Sequence, residues 1–176
     1  MVSALFIHYT EHSLHPSALD VVDVPDRIAI GERLNARPPG HTYVESFSAT
    51  GIFGQLDFWF SPWPGLVPRQ VNKPATELLL SASSTLRPKT VPLLRGRVLV
   101  LTHDTDGELA ALTDEQIRAI ALHANRWRGP LTLDWRYAAD KRAQRRRRKA
   151  DRAAQQRAFW DRIAALYGRG RAAGNE

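Results

Sequence analysis

Twelve residues near the C-terminus, KRAQRRRRKADR at 141–152, limit this chain more than any other stretch. Eight of them are cations: Lys141, Arg142, Arg145, Arg146, Arg147, Arg148, Lys149 and Arg152. They stand inside a run that reads as one long helix over about 138–167, stopped by Gly168. At 1.5 Å per residue such a helix is roughly 45 Å long. Cations are expected on every face of 141–152 and no apolar stripe exists, so this segment cannot be a core helix. Asp151 follows Arg147 by four residues and Arg148 by three, which permits local pairs worth a few tenths of a kcal/mol each. One acid cannot offset eight bases. The segment reads either as a solvated helix surface or as a contact for nucleic acid or another polyanion, with an acidic protein or membrane surface as a further reading. Consecutive arginines repel one another unless counterions or a polyanion neutralise them, so a phosphate backbone suits the arrangement. The contact would be indifferent to sequence, because asparagine and interleaved aromatic side chains are missing from it.

Beyond the basic run, Phe159, Trp160, Ile163, Leu166 and Tyr167 recur at helical spacings. They give the second half of the helix an apolar stripe for docking to the body, a second copy or another protein. Residues 169–176 read as a flexible tail.

Charge is unevenly divided along the 176 residues: positions 1–110 carry 9 Lys and Arg against 11 Asp and Glu, whereas 111–176 carry 16 against 7. The whole excess of +7 therefore lies in the last third. With 43% hydrophobic and 24% charged residues, the chain has the make-up of an ordinary soluble domain. Cysteine is absent, which excludes disulfides, thiolate catalysis and cysteine-bound metals. No apolar run approaches the roughly 18 residues of a spanning helix, and the N-terminus lacks the pattern of a secretion signal. The expectation is a protein kept in the cytoplasm or inside a particle assembled in the cell, with no membrane contact.

The body, 1–137, reads as β-rich. ALFIHY (4–9), VVDV (21–24) and RIAI (27–30) are short apolar runs ahead of the turn-rich NARPPG. TYVESFSA and QLDFWFS alternate apolar and polar residues on either side of TGIFG, so 42–49 and 55–61 are expected to pair as a hairpin. Pro62, Pro64, Pro68 and Pro74 make 62–75 an irregular loop. ATELLLSAS (75–83) suits either a short helix or a strand, and RGRVLVLTHD (95–104) suits a strand buried on both faces. Thr113 and Gln116 form a capping-box signature for a helix that Gly129-Pro130 stops. LTLDWRY (131–137) alternates and is expected to be one more strand. The fold class expected is thus α+β: a mostly antiparallel sheet with one packed helix, followed by the long basic helix.

Among the polar residues, His8, His12 and His15 are spaced by four and three, which would align metal ligands on a helix, yet ALFIHY reads as a strand and Pro16 limits any helix after it. Ordinary polar histidines, and no metal, are expected there. Asp104, Asp106 and Glu108 alternate around Gly107 in HDTDGEL and read as turn chemistry. Walker A, Gly-x-Gly-x-x-Gly and Gly-x-Ser-x-Gly patterns are all absent, and no cofactor is expected. Trp59 and Trp63 flank the proline loop in FWFSPWPGL and are candidate protein-docking residues, with Phe159, Trp160 and Ile163 on the helix.

Two resemblances bear on catalysis. His8-Tyr9-Thr10 and His103-Asp104-Thr105 each follow an expected strand, and their separation resembles that of the two motifs of the two-histidine phosphoesterases. That resemblance implies His8 and His103 as acid and base across a cleft, with Thr10 and Thr105 holding a phosphodiester. Glu11 and Asp106 stand where that family has an apolar residue, and they would repel phosphate. FIHYT and the later DFWFSP also resemble the opening strand and aromatic strand of the ADP-ribosyltransferase fold. This second resemblance implies that His8 holds a nicotinamide ribose, with Glu108 as the nearest counterpart of the activating glutamate.

The leading expectation is a non-enzymatic accessory or assembly protein, such as a phage or chromosomal factor or a subunit of a nucleoprotein particle. It would hold a nucleic acid or other polyanion through 141–152 and dock to a protein partner or to itself through its apolar surfaces. The alternative is a small phosphodiesterase or ADP-ribosyltransferase-like enzyme that uses His8, with or without His103.

Overall fold

In the computed structural model, residues 2–9, 12, 14–34, 44–61 and 70–172 are described, side chains only as far as 165. Thr10, Trp63, residues 35–43 with the first two positions of the expected strand at 42–49, most of the proline loop and the last four residues lie outside them. The chain is α+β. Six strands are present: β1 (Val2–Ile7), β2 (Leu19–Val24), β3 (Glu45–Gly51), β4 (Gly54–Phe60), β5 (Val98–His103) and β6 (Leu109–Ala110). Every pairing is antiparallel, in the order β2-β1-β5-β4-β3, with β6 also against β5.

Strand alternation builds a core on each face of the sheet. Leu5, Ile7, Phe58, Val98 and Val100 point to the larger one, and Ala4, Phe6, Leu99 and Leu101 to the smaller. Strand β5 is buried on both faces, as its unbroken apolar run requires. The larger core is covered by α2 (Lys73–Ala82) and α3 (Asp114–Arg126), the smaller by α1 (Arg27–Leu34).

The expected hairpin forms, with Phe47 opposite Phe58 and Gly51 opposite Gly54. Gly54 takes a positive φ of 76° in the turn. Helix α3 starts on the expected capping box: Thr113 accepts from the Gln116 amide, and the Gln116 side chain accepts from the Thr113 amide. Asn72 settles the ambiguous ATELLLSAS as helix, because its side chain accepts from the Ala75 amide while donating to the carbonyls of Ile7 and Gly96.

Two segments differ from the sequence reading. RIAI belongs to α1, where Asp26 caps the Ala29 amide and Ile30 and Leu34 bury one helical face. LTLDWRY is no strand but the start of α4 (Leu131–Ala172). A strand would place Leu131, Leu133, Trp135 and Tyr137 together on one face. The helix instead buries Leu133 and Tyr137, one turn apart, and exposes Leu131 and Trp135.

Residues Met1–Tyr137 form one compact unit and Ala138–Glu176 a second. Among the described residues no helix is long and apolar enough to cross a membrane.

Candidate functional site

The second unit concentrates the charge: 138–176 holds 12 Lys and Arg against 4 Asp and Glu, while 1–137 holds 13 against 14. All of 138–172 is helical. At about 100° per residue, seven of the eight cations of 141–152 fall within an arc of about 160°, and Arg147 alone stands on the far side. Asp140, Asp151 and Asp161 share Arg147's side. The expectation of cations on every face is thereby corrected: the helix has a basic face and a back that carries its acids.

All eight cations are exposed except Arg148, which is half-buried. Among the described residues, no hydrogen bond or ion pair engages Arg142, Arg145, Arg146, Arg147, Arg148, Lys149 or Arg152. The local pairs that the spacing permits between Asp151 and Arg147 or Arg148 are thus not made. The charge of these seven side chains is left for solvent or a partner.

Seven residues beyond Arg152, or about 10 Å along the axis, Phe159 continues the same face. Phe159 and Trp160 are 56% and 65% exposed and meet edge to face, their ring centroids 5.4 Å apart. Ile163 is half-buried one turn on. The docking residue expected on the body, Trp59, is instead part of the fold: it packs against the smaller core, and the Arg27 guanidinium lies 5.7 Å over its ring.

The histidines are held by partners that the sequence did not announce. His8 Nε2 meets Asp20 Oδ2 at 2.5 Å, because the register of β1 on β2 sets Asp20 beside it. His103 Nδ1 lies 2.6 Å from Asp57 Oδ2, Asp57 Oδ1 accepts from Ser48 Oγ at 2.5 Å, and Gln55 Nε2 lies 2.6 Å from His103 Nε2. Both ring nitrogens of His103 are thus within hydrogen-bond distance of a side-chain partner. The polar phase of QLDFWFS was the one available signal for Asp57.

His8 and His103 do not face each other. Leu5 pairs with Val100 in antiparallel register, which puts the two histidines at opposite ends of β1 and β5, about six residues or 20 Å apart along the strands. Thr105 and Glu108 lie in the turn beyond β5, at the His103 end. The geometry therefore contradicts both the two-histidine cleft and a joint site of His8 with Glu108. Asp104 Oδ1 accepts from the amides of Asp106 and Glu108, so the acids of this loop close a turn, where Gly107 has φ 79°.

A cleft of about 570 Å³ does open beside His8, lined also by His12, His15, Ser17, Trp127 and Arg128. His15 Nδ1 accepts from the Ser17 amide in capping a short 3-10 turn, so the three histidines are not aligned on a helix. Among the described residues no group of three or more metal-ligating side chains is assembled. Glu77, 1% exposed, is buried in α2 and accepts from the Leu14 amide at 2.7 Å. Burial pushes its carboxyl above the usual range, more than the Leu14 hydrogen bond, Trp127 and Lys73 lower it. Burial likewise raises the Tyr137 phenol, with Glu77 and Asp134 adding to the effect.

No family model matches the chain, and neither a curated protein nor a solved structure is significantly similar to it.

Proposed function

We propose that this protein is a non-enzymatic accessory or assembly factor that holds a nucleic acid or other polyanion on the basic face of α4. The observation that supports this reading is the segregation of seven cations onto one face, six of which, Arg142, Arg145, Arg146, Arg148, Lys149 and Arg152, make no hydrogen bond or ion pair among the described residues. A solvated helix held together by its own ion pairs would interleave acids with bases on each face. Here the acids lie on the back, and the six front cations that make no ion pair are left to be neutralised from outside the helix. Each phosphate engaged releases a condensed counterion, and that release supplies the free energy of binding.

The reading is tested by native mass measurement and the 260/280 nm absorbance ratio of the protein purified at low salt, beside the variant Arg145→Gln, Arg146→Gln, Arg147→Gln, Arg148→Gln. Co-purifying nucleic acid, or binding of added nucleic acid, is expected with the parent and reduced at least tenfold in the variant. Equal binding by a folded variant would sink the proposal.

A further inference from the structure

The basic face does not end at Arg152. Phe159 lies at nearly the same angle around the helix as Lys141 and Arg152, and Trp160 at that of Arg142. Two large rings thus stand exposed on the line of the cations, about two turns past the last of them. Their edge-to-face contact fixes them against each other and leaves ring surface open to solvent.

We propose that the ligand of this face is single-stranded nucleic acid, with phosphates along Arg142–Arg152 and an unpaired base stacked on the Phe159–Trp160 pair. The inference rests on the polyanion reading above and narrows it. In a duplex the base faces are already stacked on one another, so an aromatic pair in line with the phosphate contacts has nothing to stack on. In a single strand each base presents a π-face, and a cationic track beside exposed aromatic rings meets both parts of the strand at once. A lipid surface fits less well. A helix lying in a membrane interface needs its apolar residues alongside the cations over its whole length, and 141–152 has only Ala143 and Ala150, both on the back. A second copy of this chain would bring cations against cations.

The test is fluorescence anisotropy of labelled oligonucleotides, one unstructured single strand and the matched duplex, titrated with the full chain and with Phe159→Ala and Trp160→Ala. Circular dichroism verifies that the helix persists in both variants. The single strand is expected to bind more tightly than the duplex, and each substitution to weaken it about tenfold with the salt dependence unchanged. Duplex binding is expected to be indifferent to either change. Tighter duplex binding, or single-strand binding untouched by both substitutions, overturns the stacking proposal while salt-dependent binding leaves the polyanion reading in place. No binding to either oligonucleotide removes both. Sedimentation velocity and co-sedimentation with vesicles of phosphatidylserine and phosphatidylcholine cover the other occupants. Self-association or vesicle binding that Trp160→Ala abolishes, without any effect on oligonucleotides, also overturns it.

Discussion

Glu77 sits in an environment that opposes the charge of its side chain. A carboxylate buried in α2, against the Leu14 amide, is desolvated more than its neighbours compensate. Its folded value lies above the ordinary 4.5, so over the window between the two values the native state holds a proton that the unfolded chain has released. Stability from this group is complete below 4.5 and is lost as pH rises through the folded value. Glu77→Gln keeps an oxygen for the Leu14 amide and removes the charge. Thermal melts of the parent between pH 4 and 8 should lose stability with rising pH relative to the variant, and parallel curves would contradict the account. His123 acts in the opposite sense. Burial lowers its value below 6.5, between Phe53 and Trp127, so stability declines as pH falls through 6.5 toward the folded value. His123→Gln should flatten the melting temperature between pH 7 and 5, and a variant as acid-sensitive as the parent would contradict this.

At the scale of elements, the β3–β4 hairpin is held tightly against the end of α2. A Cβ on Gly51 would stand 2.4 Å from the Ala82 carbonyl oxygen, a backbone atom that cannot rotate away. Gly51→Ala should cost about 1–3 kcal/mol in denaturant unfolding; an unchanged midpoint would mean that α2 ends elsewhere. The sequence disclosed those elements whose local chemistry points one way: the hairpin through alternation between glycines, α3 through its capping box, β5 through an unbroken apolar run. It misled at LTLDWRY because residues two apart on a strand include residues four apart on a helix, and only burial of Leu133 and Tyr137 without Leu131 and Trp135 separates the two. RIAI was ambiguous for the same reason, resolved by the Asp26 cap. The candidate site was legible as composition, since eight cations in twelve residues cannot be missed. Its one-sidedness was legible too, because 100° per residue along the expected helix already places seven of the eight cations within one arc. The partners of His8 and His103 depend on strand register, which single-strand patterns do not encode.

For the molecule as a whole, the net charge of +7 is the sum of a near-neutral unit, 1–137, and a strongly basic one, 138–176. An isoelectric point near 10.4 therefore describes neither part. The near-neutral unit has a sheet covered on both faces, and His8 and His103 stand at opposite ends of its paired strands β1 and β5. The basic unit holds Arg142, Arg145, Arg146, Arg147, Arg148, Lys149 and Arg152, which make no hydrogen bond or ion pair among the described residues. The most direct measurement of this division is the salt dependence of nucleic-acid binding by the full chain, followed from about 50 to 200 mM monovalent salt. If six or seven phosphates are engaged, log K should fall linearly with log salt, with a slope of about −4 to −5 on a single strand and −5 to −6 on a duplex. A slope near zero across that range would contradict the assignment of α4 as the contact surface.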